Sequence, residues 1–233
     1  MCTLTLMPQT DGGLIITSNR DEAPNRETLL PELYQINGSD LLYPKDMLAG
    51  GTWIGVSDRK RFVCLMNGGF KAHERKSEYR MSRGIIVTNL LSAEDFLKAV
   101  DSYDFQDIEP FTIVAVDWSV KLRIYELIWD GANYHLTEKP LAPAIWSSSL
   151  LYSEEMKRKR EAWFSDFLFD NLSPSENELL DFHKNAGEGN PETNLIMDRI
   201  FVKTKSITQV MVKDSIEMYY EDLQNKKTIR IDF

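Results

Sequence analysis

MCTLTLMPQTDGGLIITSNRDE, residues 1–22, is the stretch whose reading decides the fold. Residues 3–7 (TLTLM) alternate polar and apolar side chains, the period of a half-buried strand. Residues 8–13 (PQTDGG) are turn material, and residues 14–18 (LIITS) read as the returning strand. Such a hairpin carries Asn19, Arg20 and Asp21 back beside the start of the chain. If Met1 is removed, Cys2 holds a thiol and a free α-amine in one residue. A nucleophile with a base in reach is what covalent catalysis needs, and the amine can be that base. Its unperturbed pKa of about 7.7–8.0 suits proton transfer near neutral pH.

The chain of 233 residues is long enough for a substantial core and is expected to form one domain over 1–233. With 36 acidic against 27 basic residues the formal net charge is -9, which disfavours nucleic acid as a partner. No apolar run approaches the roughly 20 residues of a membrane span, and no signal-peptide pattern opens the chain. A cytoplasmic location is therefore expected, where Cys2 and Cys64 stay reduced. Cys64 lies in an apolar strand (FVCLM) and reads as a small buried hydrophobe. His73, His135 and His183 share no ligand spacing, so neither a metal nor another cofactor is expected.

Beyond the opening hairpin, residues 23–46 contain three prolines and read as a loop with a short strand near 32–36, Arg26 adding a second guanidinium or merely solvating the loop. Gly50-Gly51 permits close backbone approach ahead of a strand from Trp53-Ile54. It is no phosphate loop, since the GxxxxGK[ST] spacing is absent. Residues 62–66 form the partner strand. Asn67-Gly68 after it is either a hairpin turn or an amide placed to donate to a developing oxyanion. Residues 71–83 alternate in charge and read as an exposed loop flanking the pocket. Ser92 is expected to cap a helix reaching Ser102, followed by strands at 111–118, 122–129 and 134–137. Residues 140–152 read as a loop. Ser153 then caps a long helix to about Asp170, with Trp163, Phe164 and Phe167 on its apolar side and the basic run 157–160 on a solvated face. Ser173-Pro174-Ser175-Glu176 reads as a capping box with proline at the first helical position, opening a helix to about Lys184. Strands at 208–212, 216–220 and 228–231 close the chain. The pattern by itself gives an α+β, mostly antiparallel architecture.

MCTLTL followed by SNRDE, together with GGTWIGV (50–56) and CLMNGG (64–69), resembles the NRDE family, whose eukaryotic members are called transport and Golgi organisation protein 2. The match is strong over residues 1–70 and positional after that. That family is in turn similar to N-terminal-nucleophile hydrolases of the penicillin V acylase and bile salt hydrolase type. The resemblance implies an αββα sandwich of two mostly antiparallel sheets flanked by helices, with Cys2 as nucleophile. It also implies that Arg20 lowers the thiol pKa, that Asp21 orients the amine and that Asn67 holds the oxyanion, with Asn19, Ser148 and Lys205 toward the substrate. Two positions depart from the pattern: Ser148 stands where similar acylases carry an asparagine, and Lys205 stands near a basic position that is usually arginine. A hydroxyl has less reach than an amide, and lysine lacks the bidentate fork.

The expected activity is hydrolysis of, or acyl transfer from, a small linear amide or acyl compound through a thioester on Cys2. The alternative is a non-catalytic carrier of lipid or haem on the same scaffold, with Cys2 available as a thiolate ligand to haem. The spacing leaves the oligomeric state open. Limited alkylation at neutral pH followed by peptide mapping is expected to label Cys2 before Cys64; preferential labelling of Cys64 would reverse the assigned roles.

Overall fold

The computed structural model describes residues 2–233, and its backbone forms an α+β fold of two antiparallel sheets and four helices. The chain separates into two compact units. The first comprises residues up to 25, 142–148 and 152–233; the second comprises 26–141 and 149–151. Met1 lies outside the described residues, and with it the expectation that its removal exposes the Cys2 amine.

The first unit opens with the expected hairpin. β1 (Cys2–Pro8) and β2 (Leu14–Glu22) pair antiparallel from Cys2↔Arg20 to Pro8↔Leu14. Gly12 takes a positive φ of 91° in the turn, and the Asp11 carboxylate accepts from Gly13 N at 3.2 Å. The sheet is completed by β10 (Ala144–Ser147), β11 (Lys203–Val212), β12 (Ile216–Asp222) and β13 (Lys227–Asp232). Its order is β10-β1-β2-β11-β12-β13. Alternation sorts the side chains into two faces. Cys2, Arg20 and Ser206 share one cross-strand row, and Thr3, Asn19 and Ile207 share the next row on the opposite face.

α3 (Glu154–Asp170) and α4 (Glu176–Asn185) belong to this unit. Ser153 caps α3 by accepting from Met156 N, as expected. The capping box of α4 sits two residues later than the sequence reading placed it, as Ser175 with Glu178, so Pro174 precedes the cap. Phe164, Leu179 and Phe182 pack against Met7 and Ile15 of the hairpin. The rest of the layer is polar. His183 of α4 is fully buried, with Nδ1 2.8 Å from Asn19 Oδ1 and Nε2 2.8 Å from Thr5 Oγ1. The Asn19 amide nitrogen donates to His183 O and Leu195 O, both at 3.0 Å, which fixes the amide's orientation. Nδ1 must therefore carry the proton, and Nε2 accepts from Thr5.

In the second unit, β3 (Thr28–Ile36) and β4 (Ser39–Asp46) form a hairpin through Asn37 (φ 52°) and Gly38 (φ 74°). The short strand expected near 32–36 is the second half of β3, and the hairpin replaces the rest of the loop expected over 23–46; Asn-Gly is the turn that two consecutive positive φ values demand. The sheet continues with β5 (Ile54–Ser57), β6 (Arg61–Asn67), β7 (Phe111–Asp117), β8 (Arg123–Trp129) and β9 (Tyr134–Lys139) in sequential order. Two helices stand where one was expected. α1 (Arg83–Ser92) ends at Ser92, and α2 (Phe96–Ser102) is capped by Asp95, whose carboxylate accepts from Lys98 N. The buried Arg61 ties α1 down: its Nη1 donates to the carbonyls of Leu90 and Ala93 at 2.7 Å, a cation at a helix C-terminus. Leu90, Leu91, Val63, Leu65, Ile113 and Leu127 share one apolar cluster. The segment 140–152, read as a loop, contributes β10 to the first unit's sheet.

Two glycines of the second unit separate conformational from steric demand. An alanine Cβ at Gly38 would meet nothing within 4 Å, so Gly38→Ala should cost only the left-handed backbone penalty, about 1–2 kcal/mol. At Gly51 the Cβ would lie 2.5 Å from the Gly84 carbonyl carbon at the start of α1. Gly51→Ala should cost more than Gly38→Ala in urea unfolding, about 2–3 kcal/mol or above; the reverse order would show that the close approach is not needed.

Burial, followed by the charge of Arg160, holds His183 down to about 3 from its ordinary 6.5. Between these values the unfolded chain binds a proton that the folded chain does not, so stability falls as pH drops through that window. Acidification from pH 7 to 5 should cost wild type about 2 kcal/mol more than His183→Gln in urea titrations. Equal losses in the two proteins would show that His183 is not the linked group.

Candidate active site

The register of the opening hairpin sets Cys2 directly across the ladder from Arg20, and both are buried, at 0% and 3% exposure. Residues paired across strands on one face lie within side-chain reach of each other. Ser206 of β11 continues the row beyond Arg20. On the other side of β1, Ser148 N donates to Cys2 O at 3.1 Å, extending the β1–β10 ladder past Ser147. Ser148 is thereby placed beside Cys2, and its own carbonyl accepts from Tyr152 N at 3.2 Å.

Lys205 occupies a β-bulge. The β11–β2 register shifts between Thr204, paired with Asp21, and Ser206, paired with Arg20. A bulge re-aims the extra side chain. The Lys205 ammonium donates to Pro24 O at 2.6 Å and to Gln224 Oε1.

Asp21 follows Arg20 and so projects from the opposite face of β2. It is fully buried, accepting from the Tyr152 hydroxyl on one oxygen and from Thr204 Oγ1 at 2.5 Å on the other. Burial pushes its carboxyl above the usual range, while the two hydroxyls and the charge of Arg160 oppose that rise. Arg160 is itself fully buried and lies with its guanidinium carbon 3.7 Å from the Tyr152 ring centroid. It donates to Thr3 Oγ1, to Asn194 O at 3.0 Å and to Thr193 O at 3.3 Å. The tyrosine is pushed upward by the same burial and by the neighbouring carboxylate. Its hydroxyl stays protonated and serves Asp21 as a donor.

Tyr152, Thr204 and Arg160 were not identified from the sequence as parts of this site. Reading 157–160 as a solvated face fails at Arg160. The signal was present, because Arg160 precedes Phe164 by four residues and Phe167 by seven and so shares their stripe. Asn19, expected toward the substrate, lies on the face away from Cys2 and bonds His183 and Leu195.

Asn67 belongs to the second unit, where it ends β6 and its carbonyl accepts from Leu150 N at 3.4 Å. Asn67-Gly68 is no hairpin turn. Gly68 has φ 91°, donates to Pro110 O and accepts from Thr112 Oγ1, and an added Cβ would lie 2.8 Å from Leu150 N. Cys64 lies within β6 and is as buried as Cys2, so exposure does not separate the two thiols. What separates them is their strand neighbours: Arg20 opposite Cys2, against Ile54 and Val114 opposite Cys64. Among the described residues no group of three or more His, Cys, Asp or Glu could hold a metal ion, and no helix is long and apolar enough to cross a membrane.

The conjugated bile acid hydrolase of Clostridium perfringens, solved as its C2A mutant, superposes with a TM-score of 0.64 over 100% of this chain and 92% of that one, at 9% identity. A Caenorhabditis elegans orthologue of N-acylethanolamine-hydrolyzing acid amidase gives 0.59 at 12% identity over 89% of this chain and 91% of the other. Penicillin V acylase from Agrobacterium tumefaciens gives 0.58 at 8% identity over 99% and 86%. The fold is therefore that of N-terminal-nucleophile hydrolases. A mouse protein, Transport and Golgi organization 2 homolog, is 34% identical over 113 residues. That match takes in 46% of this chain and 39% of the mouse protein, so the chain spans about two fifths of that relative's length. Residues 1–220, from the Cys2 strand into β12, match the family described as Transport and Golgi organisation 2, and the chain belongs to that family.

Proposed function

We propose that the chain is a cysteine hydrolase or acyltransferase acting on a small linear amide or acyl compound. The observation that carries this reading is the register placing a buried thiol opposite a buried guanidinium at the start of a strand, on an N-terminal-nucleophile hydrolase fold. In this reading Met1 is absent and the Cys2 α-amine takes the thiol proton. Arg20 favours the thiolate by its charge. The sulfur attacks the substrate carbonyl carbon, and the tetrahedral oxyanion is held by Asn67 with Ser148 beside the nucleophile. The carbon–nitrogen bond breaks, the amine leaves with the proton from the Cys2 ammonium, and the acyl group stays as a thioester. Water, deprotonated by the same amine, releases the acid and restores the thiol. Asp21 holds the amine's orientation, itself held by Tyr152 and Thr204. Lys205 supplies positive charge from its bulge in β11, and Asn19 acts through the packing of α4 and not on the substrate.

Intact mass after exposure to an activated acyl ester tests the reading. Wild type lacking Met1 should gain one acyl group on Cys2. Cys2→Ala should gain none there while keeping its unfolding midpoint, and Cys2→Ser should acylate slowly, by about a hundredfold or more. A form retaining Met1 should behave as Cys2→Ala, because an acylated nitrogen has no basic lone pair. Undiminished acylation or turnover in Cys2→Ala would exclude covalent catalysis at this residue. A Soret band in purified wild type that disappears in Cys2→Ala would instead favour haem carriage.

A further inference from the structure

Arg160 carries a positive charge into the interior of the first unit and is fully buried there. Among the described residues its hydrogen bonds go to neutral acceptors, Thr3 Oγ1, Asn194 O at 3.0 Å and Thr193 O at 3.3 Å, and its Nε has no partner. Asp21 is buried as completely, and its two oxygens accept from neutral hydroxyls, those of Tyr152 and Thr204. A cation and a carboxylate thus share one polar layer, each bonded to neutral groups, and Tyr152 joins them. Its ring centroid lies 3.7 Å from the Arg160 guanidinium carbon, and its hydroxyl donates to Asp21 Oδ2. A cation over the ring draws electron density from the phenol and strengthens the O–H as a donor, since linked polar groups polarise one another. Thr204 Oγ1 accepts from Met197 N at 2.8 Å, and its 2.5 Å separation from Asp21 Oδ1 is that of a hydroxyl on an ionised carboxylate. The charged or titratable groups that act on Asp21 are Tyr152 and Arg160, from the α3 side, and the chain's terminal amine. β11 presents the neutral Thr204, and on α4 His183 is a neutral ring, held so by burial and then by Arg160.

We infer that Arg160 is a positioning residue of the proposed reaction: through Tyr152 it keeps Asp21 ionised, and the ionised Asp21 holds the Cys2 amine. The inference rests on the reading of Cys2 as nucleophile with its amine as base. Without the charge on α3, a carboxyl this deeply buried takes up a proton. A neutral Asp21 has lost the charge-assisted bond to the amine, and the amine is free to turn from the thiol. Arg160 bonds Thr3, the neighbour of Cys2, so its effect on the chemistry is indirect.

Two measurements on the full chain lacking Met1 test it, one at Asp21 and one at Cys2. The first follows the Asp21 carboxyl carbon by NMR against pH, the signal assigned by its absence in Asp21→Asn. In Arg160→Gln this carboxyl should take its proton about one pH unit or more above wild type. Tyr152→Phe keeps the ring against the guanidinium and removes the donor, and should move the titration the same way. The second measurement is the rate of Cys2 acylation by an activated ester at pH 7, which should fall about tenfold or more in Arg160→Gln and recover in part in Arg160→Lys. Lysine keeps the charge but cannot make the same three bonds, so a solely structural Arg160 would make it as damaging as glutamine, and that result would overturn the inference. Asp21 titrating as in wild type in Arg160→Gln would overturn it as well. Should Arg160→Gln not fold, Tyr152→Phe decides, since the route runs through that hydroxyl. A wild type that is not acylated, with the Asp21 titration moving as stated, would remove the proposed reaction and leave the hold of Arg160 on the Asp21 charge standing.

Discussion

A cation cut off from water must be satisfied by the chain that buries it, and the polar layer of the first unit is arranged around that requirement at Arg160. The net penalty for burying such an ion runs to several kcal/mol, recovered only through good geometry and a full set of acceptors. Arg160 finds Thr3, two carbonyls of the segment leading to β11, and the face of Tyr152, and only its Nε is left without a hydrogen-bond partner. Each contact reaches a neighbour of the proposed chemistry. Thr3 is next to Cys2, and Tyr152 holds Asp21, which is next to Arg20. One side chain on α3 thereby fixes β1 and β2 at the level where they carry the thiol and the guanidinium. His183 does the same one row further in, through Asn19 and Thr5, and it does so as a neutral ring.

The opening hairpin was legible because its information is local. Alternation, a glycine turn and β-branched residues all point the same way over twenty residues, and the pairing of Cys2 with Arg20 follows from the turn. The later antiparallel strands were legible for the same reason. Of residues 23–46 only the strand near 32–36 was legible, because prolines suggested irregular chain while Asn37-Gly38 carried the decisive turn signal. β10 was missed because a four-residue strand has too few side chains to show a period; its pairing with β1 is a tertiary fact. Arg160 was misread for a different reason. Charge type was given more weight than position, and a helix places by position. The neighbours of Asp21 are 131 and 183 residues away in sequence, and no local pattern could name them.

At 8–12% identity to the solved hydrolases, little of the side-chain detail is shared, yet the backbone arrangement persists over nearly the whole chain. That is the behaviour of a fold specified by alternation and turn chemistry and not by particular core residues. The fold leaves room for departures such as Ser148 and Lys205. The serine's backbone N–H still engages the first strand, and the lysine sits on a bulge that sets it apart from the regular ladder. In the proposed reaction Ser148 can supply a neutral hydrogen-bond donor, and Lys205 a donor that also carries positive charge.

The outermost strands have a consequence for how the protein behaves at high concentration. The two sheets end in β10 and β13 on one side of the division and in β3 and β9 on the other. An unpaired strand edge is a template on which another chain can add. β10 is only four residues long, β3 carries Pro31, and β9 and β13 are lined with exposed His135, Glu138, Lys227 and Asp232. Each border is therefore too short, lacks a donor, or would have to strip water from charged side chains if a second copy approached edge to edge. The same alternation that builds two wide sheets would otherwise invite aggregation, and the protein resists it at its margins without giving up an apolar core.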